Sequence, residues 1–172
     1  MRILPVLTLA VAIAACVPQA KAPPPAPVLP PVPVPAPAPA PLGTDWRDWP
    51  VTPGIWRYDR DARGSIARFG VAGSDAALTL RCDLAPRRVY LSLVGGVATS
   101  VTIRTSSTDR ALAMQPTGGV PPYVAATLAP NDPLLDAMGF SRGRFVVTRA
   151  GMAPLVIPAW AEIERVTEDC RG

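Results

Sequence analysis

Residues 78–93 read LTLRCDLAPRRVYLSL, and this stretch decides the fold. Leu78, Leu80 and Cys82 recur at every second position, as do Val89, Leu91 and Leu93. A period of two places each trio on one face of a β-strand. The same pattern spreads outward in both directions. Trp56, Tyr58 and Arg60 alternate before it, and Ala62-Arg63-Gly64 is a turn leading to Ser65–Phe69. Val101, Ile103 and Thr105 line a strand after it, followed by weaker candidates at Arg110–Met114 and Tyr123–Leu128, then Phe145–Val147 and Leu155–Ile157.

Two helices interrupt the strands. Asp132 is placed to cap a short one, with Pro133 at its first position and Leu134, Leu135 and Met138 as its apolar side. Pro158 opens a second, running to about Cys170, on which Trp160, Ile163, Val166, Thr167 and Cys170 share one arc. Short strands at turn-separated spacing with these helices predict a mainly β fold. The expected form is an antiparallel β-sandwich or barrel with a short helix and a C-terminal helix packed on it.

The first 41 residues differ in kind. Arg2 precedes an apolar run from Ile3 to Ala12, broken only by Thr8, and small residues then lead to Cys16. That order describes a secretory signal, because the run is shorter than the roughly 20 residues a membrane-spanning helix needs. Ile13-Ala14-Ala15-Cys16 resembles the lipobox of bacterial prolipoproteins. The resemblance implies lipidation of Cys16, which becomes the new N-terminus. With Val17 rather than aspartate next, it also implies the outer membrane, facing the periplasm. Residues 22–41, APPPAPVLPPVPVPAPAPAP, are pre-set for polyproline II and make a semi-rigid spacer of about 60 Å. The expected organisation is therefore a signal peptide over 1–15, a lipidated cysteine with a Pro/Ala-rich spacer over 16–41, and a periplasmic β-rich domain over 42–172.

Composition excludes several chemistries. The 172 residues contain no histidine, and Lys21 is the only lysine. Ser-His, Cys-His and Ser-x-x-Lys catalytic sets are thus unavailable. Asp59, Asp61, Asp75 and Asp83 could be read as the paired carboxylates of glycoside hydrolysis, but each falls at a strand end or turn, where aspartate is expected in any case. No stretch interleaves basic and aromatic residues on one face, so no nucleic-acid partner is expected, nor is a cofactor or a metal. The arginines read either as a surface for acidic partners or, in preference, as genome composition, since the chain is also rich in alanine, glycine and proline.

Three cysteines remain to be placed. Cys82 lies on an inward strand face and Cys170 in the apolar arc of the last helix. With Cys16 acylated and the domain exported to an oxidising compartment, Cys82 and Cys170 form an even pair, and a disulfide is expected between them. The other readings are a reactive thiol or a thiolate metal site. Trp46, Trp49 and Trp56 cluster in DWRDWPVTPGIW, either as an aromatic platform or as a cap over the core. Ser141-Arg142-Gly143-Arg144 presents two guanidiniums beyond the short helix. Trp46, Trp49, Arg142 and Arg144 are the candidate partner contacts.

The order LTLRCD, RRVYLSL, VTIRTSS, PLLDAMGFSRGRFVV and a closing helix ending EDCR resembles exported bacterial domains of the invasion-associated locus B type and the accessory lipoproteins of type VI secretion. Leu80, Cys82, Leu135, Gly143, Phe145 and Cys170 carry the likeness, over roughly residues 77–171. The chain is also similar to a lipoprotein type of alphaproteobacteria. The resemblance implies a β-sandwich and brings no catalytic residue with it. The expected function is a non-enzymatic, membrane-anchored envelope lipoprotein whose disulfide-stapled domain binds an envelope protein or cell-wall partner. The other reading is a lipoprotein inhibitor of lysozyme or of an exported protease.

Overall fold

The computed structural model describes residues 42–172. Cys16, the expected signal peptide and the proline-rich stretch lie outside them. The elements run β1 (Ile55–Asp61), β2 (Gly64–Gly70), β3 (Leu78–Asp83), β4 (Arg88–Val94), β5 (Thr99–Arg104), β6 (Asp109–Pro116), β7 (Tyr123–Leu128), α1 (Pro133–Gly139), β8 (Arg144–Arg149), β9 (Leu155–Pro158) and α2 (Ala161–Arg171). A single 3-10 turn, Trp46–Asp48, precedes β1. The mainly β expectation holds.

All nine strands hydrogen-bond in the order β1-β2-β3-β4-β7-β6-β5-β8-β9, and every neighbouring pair is antiparallel. Seven of the eight neighbouring pairs share four or more positions, but β6 and β7 share only Gln115–Ala125 and Pro116–Val124. The sheet therefore has two halves joined at a corner, β1-β2-β3-β4-β7 and β6-β5-β8-β9. Alternation sends Trp56, Phe69, Leu80 and Leu91 inward from the first half. Ile103, Met114, Phe145 and Ile157 face them from the second, in one shared core. The helices complete this core with Leu134, Leu135 and Met138 from α1 and Ile163, Val166 and Cys170 from α2. Folding one sheet onto itself leaves no large apolar face in water, which is the main gain from such a fold.

The sheet does not close into a barrel. No strand pairing joins β1 to β9. The chain just ahead of β1 takes that place: the Thr52 amide donates to the Val156 carbonyl at 2.9 Å, and the Val156 amide donates to Thr52 Oγ1 at 2.9 Å. The Trp56 indole then donates to the Pro158 carbonyl at 2.8 Å. This clasp satisfies part of an edge that would otherwise invite pairing with another chain.

The disulfide joins Cys82 on β3 to Cys170 on α2, with Cα atoms 5.4 Å apart and 88 residues between them in sequence. It ties the last helix to the middle of the first half-sheet. Gly64 is needed alongside it, since a Cβ there would sit 2.6 Å from the Cys82 carbonyl oxygen. The cap of α1 is as expected: the Asp132 carboxylate accepts from the Leu134 amide at 2.9 Å, with Pro133 behind it.

One boundary differs from the sequence reading. The last helix starts at Ala161, not at Pro158. Pro158 stays in β9, opposite Arg144. Trp160 is the N-cap residue with extended backbone, is 46% exposed, and so does not belong to the apolar arc. Pairing with β8 holds Pro158 in the sheet, a tertiary constraint that helical periodicity does not register.

Candidate functional site

The outer face of the first half-sheet carries the residues that alternate with the core. Two rows cross it. Arg57, Arg68, Thr79, Ser92 and Ala125 are opposite one another, and beside them run Asp59, Ile66, Arg81, Tyr90 and Thr127. Over these rows lies an open groove of about 740 Å³, lined by Arg63, Arg68, Thr79, Arg81, Ser92 and Tyr123 among others. The loop between β6 and β7 forms one rim and holds Val120 out at 99% exposure. Its base is fixed by the Thr117 amide donating to the Tyr123 carbonyl at 2.8 Å. The Tyr123 hydroxyl donates to the Ala76 carbonyl at 2.8 Å and ties this rim to the start of β3; burial pushes that phenol up.

The charges on this face are ordered as pairs. Arg68 meets Asp59 at 2.5 Å, Arg81 meets Asp61 at 2.7 Å, and Arg63 meets Asp83 at 2.5 Å. The Arg81 guanidinium holds the Asp61 carboxyl well below the usual carboxylate range. The Arg63 guanidinium lowers Asp83 in the same way. Three of the four aspartates weighed as catalytic candidates are thus engaged by arginines. Arg57 is exposed and has no ion-pair partner among the described residues. Of these, the Arg68–Asp59 pair is exposed on both sides, and pairs of that kind contribute little to stability. Such an exposed pair can be exchanged for the charged groups of a partner at small cost.

The four predicted contact residues fall elsewhere. Trp46 is buried against Val146 and Val156, with Trp49 packed beside it, on the outer face of β8 and β9. The Trp49 indole donates to the Gly43 carbonyl at 2.6 Å, and the Arg144 guanidinium donates to the Trp49 carbonyl. The structure brings Trp46, Trp49 and Arg144 together as one packed unit. Arg142 is exposed in the α1–β8 turn, where its amide donates to Ser106 Oγ at 3.2 Å. Cys16 lies outside the described residues. Arg57 and Arg68 of one row and Arg81 of the next were not singled out from sequence. The available signal was arginine at the outward parity of three successive strands.

A second polar cluster sits beside the disulfide. The Tyr58 hydroxyl donates to Asp169 Oδ2 at 2.5 Å, Arg60 donates to the Tyr58 oxygen at 2.7 Å and pairs with Asp169, and Arg165 stacks over the Tyr58 ring at 4.2 Å. Burial pushes the Asp169 carboxyl up, but its hydroxyl and Arg60 neighbours outweigh that and leave it lowered. Each member is engaged by another, so the cluster reads as a brace for the end of α2. Among the described residues no group of three or more acidic or cysteine side chains is arranged to hold a metal ion, and no helix is long and apolar enough to cross a membrane.

Comparison with protein-family profiles, with curated proteins and with solved structures found no match to this chain.

Proposed function

We propose that this chain is a non-enzymatic envelope lipoprotein, anchored through acylated Cys16 at the outer membrane and facing the periplasm, whose β domain binds another envelope protein or a cell-wall component. The observation that carries the binding role is the open outer face of β1–β4. This face presents a groove of about 740 Å³ floored by Arg68, Arg81 and Ser92, whereas the outer face of β8 and β9 is covered by Trp46. Planar guanidiniums held in rows suit carboxylate-bearing partners and give direction to the contact. The lipobox-like Ile13-Ala14-Ala15-Cys16 supports the anchor, and the buried disulfide suits an oxidising compartment.

The test is photocrosslinking in cells from Arg57 on this face, with Arg104 on the second half-sheet as the control position. A defined partner caught from Arg57 and not from Arg104 is expected. Identical products from both positions would remove the assignment. The anchor is tested separately by palmitate labelling, which Cys16→Ala should abolish.

One feature favours the inhibitor as a second reading. Val120 stands fully out on a loop whose base is hydrogen-bonded, a shape suited to entering an enzyme cleft. An inhibitor slows its lysozyme or exported protease at a one-to-one ratio, and Val120→Asp should relieve that inhibition.

A further inference from the structure

We propose that the open end of the sandwich, where β3 begins and β4 ends, is a binding site for a short anionic amphiphile: an unbranched acyl chain ending in a carboxylate. A cavity of about 230 Å³ enters the core where β3 begins, β4 ends and the β8–β9 turn crosses over. Its walls are Ala77, Leu93, Val147, Met152, Ala153 and Leu155. Leu93 and Val147 belong to the shared core and are only 4% and 3% exposed, so the cavity opens directly onto the packed interior. Two alanines leave the space that larger residues would fill. A cavity with apolar walls offers water few partners and takes an apolar guest instead.

The single charged residue in this lining is Arg149. It follows Phe145 and Val147 on the inward parity of β8, where the alternation calls for an apolar side chain. Its guanidinium reaches across the opening and donates to the Val94 carbonyl on β4 at 3.1 Å. Eight other arginines have carboxylate partners; Arg149 has none among the described residues. One of its donors is engaged, and the rest of the fork is available to an anion. Gly95 makes room for it, since a Cβ at that position would lie 2.6 Å from Arg149 Nη1. Met152, 59% exposed at the mouth, is a flexible apolar side chain able to close over a guest.

Size selects the guest. At roughly 30 Å³ per water-sized group, the cavity holds about seven or eight such groups. That is a medium-length chain, and it is smaller than a typical drug-sized pocket. An apolar tail in the cavity places its carboxylate at the mouth, beside the free side of Arg149.

The experiment uses the full chain labelled at its methionine methyls and titrated with octanoate. The Met152 resonance should shift and saturate, while Met138, buried on α1, should not move. Octanol, with the same chain and no charge, should bind about tenfold more weakly, because it lacks the charge-assisted hydrogen bond. Acetate, with the charge and no chain, should leave Met152 unmoved. Arg149→Gln should make octanoate and octanol equivalent, and Ala153→Trp, at an exposed position on the rim, should block both. A Met152 resonance unmoved by millimolar octanoate overturns the proposal. So does octanol binding as tightly as octanoate, an equal response to acetate, wild-type affinity in Arg149→Gln, or undiminished binding in Ala153→Trp.

Discussion

The two half-sheets send similar apolar rows inward and opposite kinds of rows outward. From β1, β2 and β3 the outward residues include Arg57, Arg68 and Arg81, which water and aspartate satisfy. From β8 and β9 they include Val146 and Val156, which are directly paired and which water does not satisfy. Trp46 covers these valines and is itself only 8% exposed. The chain between the spacer and β1 is thereby committed to one side of the domain, held by Thr52 on β9 and by Arg144 on the Trp49 carbonyl. The lesson is that a covered face and an open face can be told apart by what their outward row requires. Aromatic residues near the start of the domain mark the covered one here.

Three perturbations test this contrast. The largest strikes beneath the open face. Replacing Cys82 and Cys170 together by alanine frees an 88-residue separation and should cost about 4–5 kcal/mol by loop-closure entropy, read from urea unfolding. The transition should remain single, because both half-sheets share one core. Two separate transitions would show that the halves are independent and that the contrast is between domains, not faces.

Next comes the covered face. Trp46→Ala should destabilise by about 2–4 kcal/mol, as removal of a large buried aromatic does, and should increase binding of an apolar dye to the exposed valines. A loss below about 1 kcal/mol would show that Val146 and Val156 tolerate water.

The smallest effects belong to the open face. Arg68→Ala should cost less than about 1 kcal/mol while weakening partner capture. Arg81→Ala should lower the melting temperature slightly at pH 7, and this deficit should fade in acid. Asp61 has a folded-state pKa held below its unfolded value near 3.9. Its pairing with Arg81 therefore stabilises the fold fully above that unfolded value, and the contribution is lost as pH falls through the folded-state value. A deficit that stays constant down to strong acid would mean that Arg81 acts by packing, consistent with a side chain only 16% exposed.

Much of this architecture was legible in the chain. The alternation of Leu78, Leu80 and Cys82 against Val89, Leu91 and Leu93 marks β3 and β4, and Tyr123–Leu128 is β7 as the pattern predicts. Asp132-Pro133 marks the start of α1. The disulfide followed from cysteine parity and from the inward placement of both residues. Less legible were the features set by distant partners. Pro158 has a helix-opening sequence context but is kept in β9 by Arg144. The choice between sandwich and barrel depended on the edge of β9, which Thr52 occupies in place of a strand. Arg149 has the parity of a core residue, and only the span from β8 to Val94 shows why a charge stands there.

By itself, the sequence determined the alternating strands, the capped short helix, the cysteine pair and the separate character of residues 1–41, because each depends on neighbours a few positions away or on simple parity. Tertiary structure decided which outward rows are covered and which are open, where the sheet turns its corner, and which arginines have carboxylate partners. Those outcomes depend on residues brought together from as far apart as Trp56 and Pro158, 102 positions distant in the chain, and no local periodicity records what will lie across such a contact.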